Sequence, residues 1–159
     1  MKYTFLISIL FPILFSCSTD TESIIGEWKF SRVSKGKEVF VSNNLKEVKA
    51  IIDAAVRSKK QEFAQLNLSE KMYRTYMKRD IDLMLKVTFT FQENDTVVIS
   101  SNSTDNPSEP TKWKYTMDEQ KHLLTIQETD RTIPYTYQLK DKKLILKDGN
   151  DQVEFERLK

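Results

Sequence analysis

The chain is poor in the residues that most reactive sites need. Its 159 residues hold one cysteine, one histidine and three glycines. A single cysteine cannot form an internal disulfide, so packing alone must hold an exported domain together. The three glycines, Gly26, Gly36 and Gly149, are too few and too scattered for the usual glycine-rich phosphate loop. Charge of one sign is missing as well, since 25 Lys and Arg stand against 23 Asp and Glu. Nucleic acid wants a concentrated basic face, so no nucleic-acid partner is expected.

What is present begins with the one apolar run. Residues 1–16 read MKYTFLISILFPILFS, a positive Lys2 followed by Tyr, Phe, Leu and Ile, with Pro12 inside and the small Ser16 at the end. This is the layout of a secretory signal peptide. The run is too short for a permanent membrane helix, which needs about 20 residues. The exit, Leu14-Phe15-Ser16-Cys17, resembles the lipobox of bacterial lipoproteins. That resemblance implies cleavage before Cys17, which becomes the mature N-terminus, carries acyl chains and attaches the protein to a membrane. Each buried CH₂ contributes about 0.8 kcal/mol, and two or more chains make a stable anchor. The plainer alternative is a buried cysteine near an uncleaved helix end. A nucleophilic thiol would want a basic neighbour, and none stands beside it. Residues 18–23, STDTES, are wholly polar and suit a solvated tether. Ser18 after the cysteine favours the outer membrane in the lipoprotein pattern, and Asp20 and Glu22 resemble the acidic stretch of surface-exported Bacteroidetes lipoproteins.

The body, residues 24–159, has one domain's length. IIGEWKFSRV at 24–33 reads as a strand with Trp28 and Phe30 on one face, and EVFVS returns as a second strand. The period then becomes helical. Leu45, Val48, Ile52, Val56, Phe63 and Leu66 mark one amphipathic helix with Asn43 or Asn44 as cap. A second, over 70–84 with Asn67 or Ser69 as cap, presents Tyr73, Tyr76, Met77, Ile81 and Met84 on its apolar side. A helical hairpin at about 45–84 is therefore expected. Beyond it the period is two. Phe89 and Phe91, Trp113 and Tyr115, and Tyr135 and Tyr137 alternate with Lys and Thr, and Asp148-Gly149-Asn150 is a tight-turn signal. The count is six strands after the helices and one or two before. Pro107 and Pro110 mark the one long loop. Such a meander, dry on one face, buries that face by closing into a barrel. The expected fold is mainly β, an antiparallel up-and-down barrel of about eight strands with a helical insertion.

Gly26-Glu27-Trp28 in the first strand resembles the G-x-W signature of lipocalins, and the chain is similar to the small lipocalin-like lipoproteins of Bacteroidetes. Lipocalins place an arginine from near the chain end over that tryptophan. In the last strand, parity turns Arg157 inward with Val153 and Phe155, and an inward arginine needs a partner. The resemblance therefore implies that Arg157 and Trp28 form a closure pair. The chain lacks the disulfides of secreted lipocalins, and its helical insertion is longer than that of fatty-acid-binding proteins.

No catalytic constellation can be assembled, so no enzyme activity is expected. His122 sits alone at a turn, and the carboxylates fall on polar faces. No clustered ligand set calls for a metal, and no cofactor is expected. The inward rings Phe89, Phe91, Trp113, Tyr115, Tyr135 and Tyr137 suit either of two roles, lining a pocket for a small apolar ligand or filling the barrel. The helical hairpin, with Tyr73, Tyr76 and Met77, is either a lid or a plug. Asp95-Thr96-Val97 resembles the Bacteroidetes O-glycosylation site, which would modify Thr96. Two functions follow. One is an outer-membrane-anchored module binding a small apolar ligand. The other is a filled barrel that docks to an envelope protein or inhibits a secreted enzyme.

Overall fold

A computed structural model describes residues 23–59, 63, 69–102 and 109–158. Cys17, residues 1–16, the tether up to residue 22, Leu66, the candidate cap Asn67 and Pro107 lie outside these. The elements run β1 (Gly26–Lys35), β2 (Glu38–Ser42), α1 (Leu45–Ser58), α2 (Glu70–Met84), β3 (Val87–Gln92), β4 (Thr96–Ser101), β5 (Thr111–Asp118), β6 (Leu123–Gln127), β7 (Thr132–Lys140), β8 (Lys143–Asp148) and β9 (Asp151–Arg157). Seven strands rather than six follow the helices.

Every neighbouring pair is antiparallel, and β1 pairs with β9, so eight strands close into a barrel. Closure leaves none of those eight with a bare edge. In its first half β1 pairs with β3, Gly26 to Lys29 against Phe91 to Thr88. In its second half the same edge takes β2 instead, Arg32 to Lys35 against Ser42 to Glu38. The barrel therefore has a base, where β1 meets β3, and a mouth, where β2 takes the place of β3. The two helices connect β2 to β3 across that change. A bulge at Ser31 resets the alternation, so Trp28, Phe30 and Val33 share the inner face although their spacing is uneven. The turn between β8 and β9 uses Gly149 at φ 56°, a left-handed conformation that costs glycine little.

Two cores result. The barrel core gathers Ile24, Trp28, Phe91, Val97, Leu124, Leu144, Leu146 and Phe155. The second core joins Val33 and Val41 of the first hairpin to Val48, Ile52 and Val56 of α1 and Ile81 of α2. Among the described residues no buried helix side chain belongs to the barrel core; those of α1 and α2 join the second core instead. On α2 the packed stripe is Tyr73, Met77 and Ile81, one turn apart, while Tyr76 and Met84 are exposed. The apolar arc read from the sequence was wider than the face that packs.

Local chemistry fixes both helix starts. Asn44 caps α1, its side chain accepting from the Lys46 N–H at 2.9 Å, and Ser69 caps α2, accepting from the Met72 N–H at 3.2 Å. The helices are tied across their surface by Arg74, which donates to Asp53 at 2.6 Å and to Glu70 at 2.9 Å, while Lys49 donates to Asp53 at 2.8 Å. Hydrogen bonds from Lys49 and Arg74 hold the Asp53 carboxyl down from 3.8 to about 2. A depressed carboxyl contributes stability above its unfolded value and loses it as pH falls through the folded one. Asp53→Asn should therefore be less stable than the parent at neutral pH. In urea melts across pH, that difference should shrink as pH falls from about 4 to about 2.

Candidate functional site

The base of the barrel is sealed by Trp28. Its ring is fully buried, and its Nε1–H donates to the Ile24 carbonyl at 2.7 Å. Arg157, opposite Trp28 in the register of β1 and β9, lays its guanidinium 4.7 Å from the ring centroid. The same guanidinium donates to the carbonyls of Ser23 and of Ile25, the latter at 2.9 Å. Arg157 thus fixes both the tryptophan and the chain leading into β1. Its Nε is buried with no hydrogen-bond partner, so the ring face is the stabilising contact on that side. Gly26 adopts φ 131°, which side chains rarely tolerate, and lies against the same guanidinium.

The six inward rings do not converge on one place. Phe91 and Tyr115 pack edge to face at 5.2 Å near the base, both buried, and the Tyr115 hydroxyl donates to the Gln92 carbonyl at 2.8 Å. Phe89 sits at mid-height in a trio with Phe30 and Phe155, all centroids 5.0 to 5.1 Å apart. The alternation marks Phe30 and Phe155 as inward, but it gives no sign that they meet. Trp113 and Tyr135 stand toward the mouth, only partly buried, together with Ile99 and Val153. Tyr137 lies lower, its ring 5.8 Å from His122 at the turn between β5 and β6, which is exposed. Burial pushes the hydroxyls of Tyr115, Tyr135 and Tyr137 up, so each stays a neutral donor at physiological pH.

The remaining candidates separate as well. Tyr73 and Met77 pack between the helices and the first hairpin, with Phe63 4.8 Å from Tyr73, and Tyr76 points to solvent under Arg79 at 5.3 Å. Thr96 is buried, its hydroxyl donating to the Asn94 carbonyl at 3.3 Å and accepting from Lys114 Nζ at 3.0 Å. Glycosylation there would remove the hydroxyl hydrogen and with it the bond to the Asn94 carbonyl. Among the described residues no three His, Cys, Asp or Glu side chains are grouped to hold a metal. No described helix is long and apolar enough to cross a membrane.

The contrast between the ends defines what the barrel can do. At the base, Trp28, Phe91, Val97, Leu124 and Leu144 are buried. Toward the mouth, the inward Ile99, Trp113, Ile133, Tyr135 and Val153 are all only partly buried, as is Phe89 below them at mid-height. Half-buried rings with the Tyr135 hydroxyl and the Trp113 indole N–H among them form a surface for apolar contact with two polar groups to orient a ligand.

No protein-family model matches the chain, and no curated protein matches it. Among solved structures, the chain is similar to a DUF4847 family protein from Bacteroides vulgatus. The TM-score is 0.51 at 15% identity, and the match covers 82% of this chain and 91% of that one. The likeness is one of fold, a barrel shared with a Bacteroides protein.

Proposed function

We propose that this chain is a lipid-anchored, non-catalytic envelope protein whose barrel holds a small apolar ligand at its mouth. The observation that carries the reading is the half-buried set of inward side chains toward the mouth, Trp113 and Tyr135 with Phe89 below them, above a sealed base. Anchoring at Cys17 fits this polarity. Arg157 ties the chain at Ser23 and Ile25 to the base. Residues 18–23 reach no more than about 20 Å at full extension. The base would then face the bilayer and the mouth would open toward the aqueous side.

The test is thermal. A neutral lipid or other apolar molecule that binds only the folded protein at a hundred times its Kd adds about 2.7 kcal/mol of stability. A library of such molecules should raise the melting temperature of the parent, and Trp113→Ala and Tyr135→Ala should abolish the rise. A library that moves no melting temperature would sink the reading. It would favour the second one, a filled barrel docking to another envelope protein, which the Phe30, Phe89 and Phe155 trio supports.

The anchor has its own measurement. Cys17→Ala should carry no acyl mass and accumulate as an uncleaved precursor that keeps residues 1–16. Mature, membrane-bound protein persisting unchanged in that variant would overturn the lipobox reading.

A further inference from the structure

Outside the barrel, α1 and α2 leave between them an open groove of about 690 Å³. Its floor is apolar. Leu45, Val48 and Ile52 stand at the spacing of one helix stripe, and Val48 and Ile52 are buried against the first hairpin. Leu45 continues that stripe outward and is 82% exposed, the most exposed large apolar side chain among the described residues.

The rim carries four cations and one carboxylate, Glu70. Lys71, Arg74 and Lys78 line one side of α2 at i, i+3 and i+7, and Lys49 lines α1 opposite them. Two of the four are already neutralised, Arg74 by Asp53 and Glu70, and Lys49 by Asp53. Lys71 and Lys78 have no carboxylate partner among the described residues. They stand about 10 Å apart along the helix, the same span as Leu45 to Ile52. Two unneutralised cations therefore overlook an apolar strip.

From this complementarity we infer that the groove binds a free single-chain amphiphile with an anionic head, its chain along Leu45, Val48 and Ile52 and its head at Lys71 or Lys78. The volume falls within the range of about 300–1,000 Å³ usual for small-ligand sites. An apolar chain covers the exposed Leu45 face, and the head supplies the counter-charge that Lys71 and Lys78 lack. The inference does not depend on the barrel mouth, which would take an uncharged ligand.

The experiment photolabels the full chain, reconstituted in phosphatidylcholine vesicles, with a diazirine-bearing dodecanoate. Mass spectrometry then maps the labelled peptides. The expected result is label on the segments holding Leu45 to Ile52 and Lys71 to Lys78. It should fall about tenfold in Lys71→Glu/Lys78→Glu, where two attractions become repulsions. Leu45→Ala should cut it several-fold, and both variants should keep the parent's circular dichroism. Label from the matching uncharged alcohol should be equally weak in the groove. Equal labelling by alcohol and carboxylate would overturn the inference, because charge would then select nothing. Label on the segments of Trp113 and Tyr135 alone would also overturn it while leaving the barrel reading standing. Co-flotation with phosphatidylglycerol vesicles that the lysine variants abolish, without groove labelling, would assign the rim to a membrane surface instead.

Discussion

Trp28→Ala should lower the unfolding free energy by about 4 kcal/mol, read as a shift of the urea midpoint at constant slope. The ring is fully buried at the base, so its removal costs both the transfer free energy and the cavity left behind. It also frees the Ile24 carbonyl, which the indole N–H reaches at 2.7 Å. Above it, the Arg157 guanidinium loses the ring that covers its unpartnered Nε. Arg157→Ala should cost less, because part of the guanidinium is reached by water and the carbonyls of Ser23 and Ile25 can take water as a partner. The double variant should show coupling of about 1–2 kcal/mol, the size of a shielded cation–π pair. Simple additivity would mean that the 4.7 Å approach contributes nothing to stability.

That closure pair was legible because parity turns both side chains inward and the G-x-W resemblance to lipocalins implies an arginine from near the chain end over the tryptophan. Trp28 alternates with Lys29, Arg157 alternates with Glu156, and a closed meander must bring its first and last strands together. The helical hairpin was legible for a similar reason, since the change from period 2 to 3.6 and the caps Asn44 and Ser69 are local features. What was hidden depends on contacts far apart in sequence. The bulge at Ser31 follows from the pairing of β1 with β9 and leaves no mark in the residues themselves, and β2 replaces β3 beside β1 only because the two compete for one edge. The strand Leu123–Gln127 blurred the count because Leu123 and Leu124 put apolar groups on both faces. Within the ring set, alternation says which side chains turn inward but not how deep each lies. Depth is set by the stagger of strands around the barrel, which is why Phe91 and Trp113 share a face yet Phe91 is sealed in the base and Trp113 stands at the mouth.

The same depth question gives Phe155→Ala its weight, with an expected loss of about 4 kcal/mol in the same urea measurement. Phe155 is 2% exposed, faces Phe30 across β1 and β9, and packs on Leu144 of β8. It stacks on Phe30 at 5.0 Å and meets Phe89 edge to face at 5.1 Å, so its deletion breaks two aromatic contacts at once. Phe89→Ala should cost roughly half as much, because that ring is already partly open to the mouth and its loss extends existing space instead of sealing a new void. The trio is the floor on which a ligand at Trp113 and Tyr135 would rest. Removing Phe89 deepens the mouth without touching the closed base, so the variant should accept longer apolar molecules than the parent and show larger melting-temperature rises with them. If those molecules leave the Phe89→Ala variant unmoved, the trio is core and nothing more, and function has to be sought on the outer surface of the barrel.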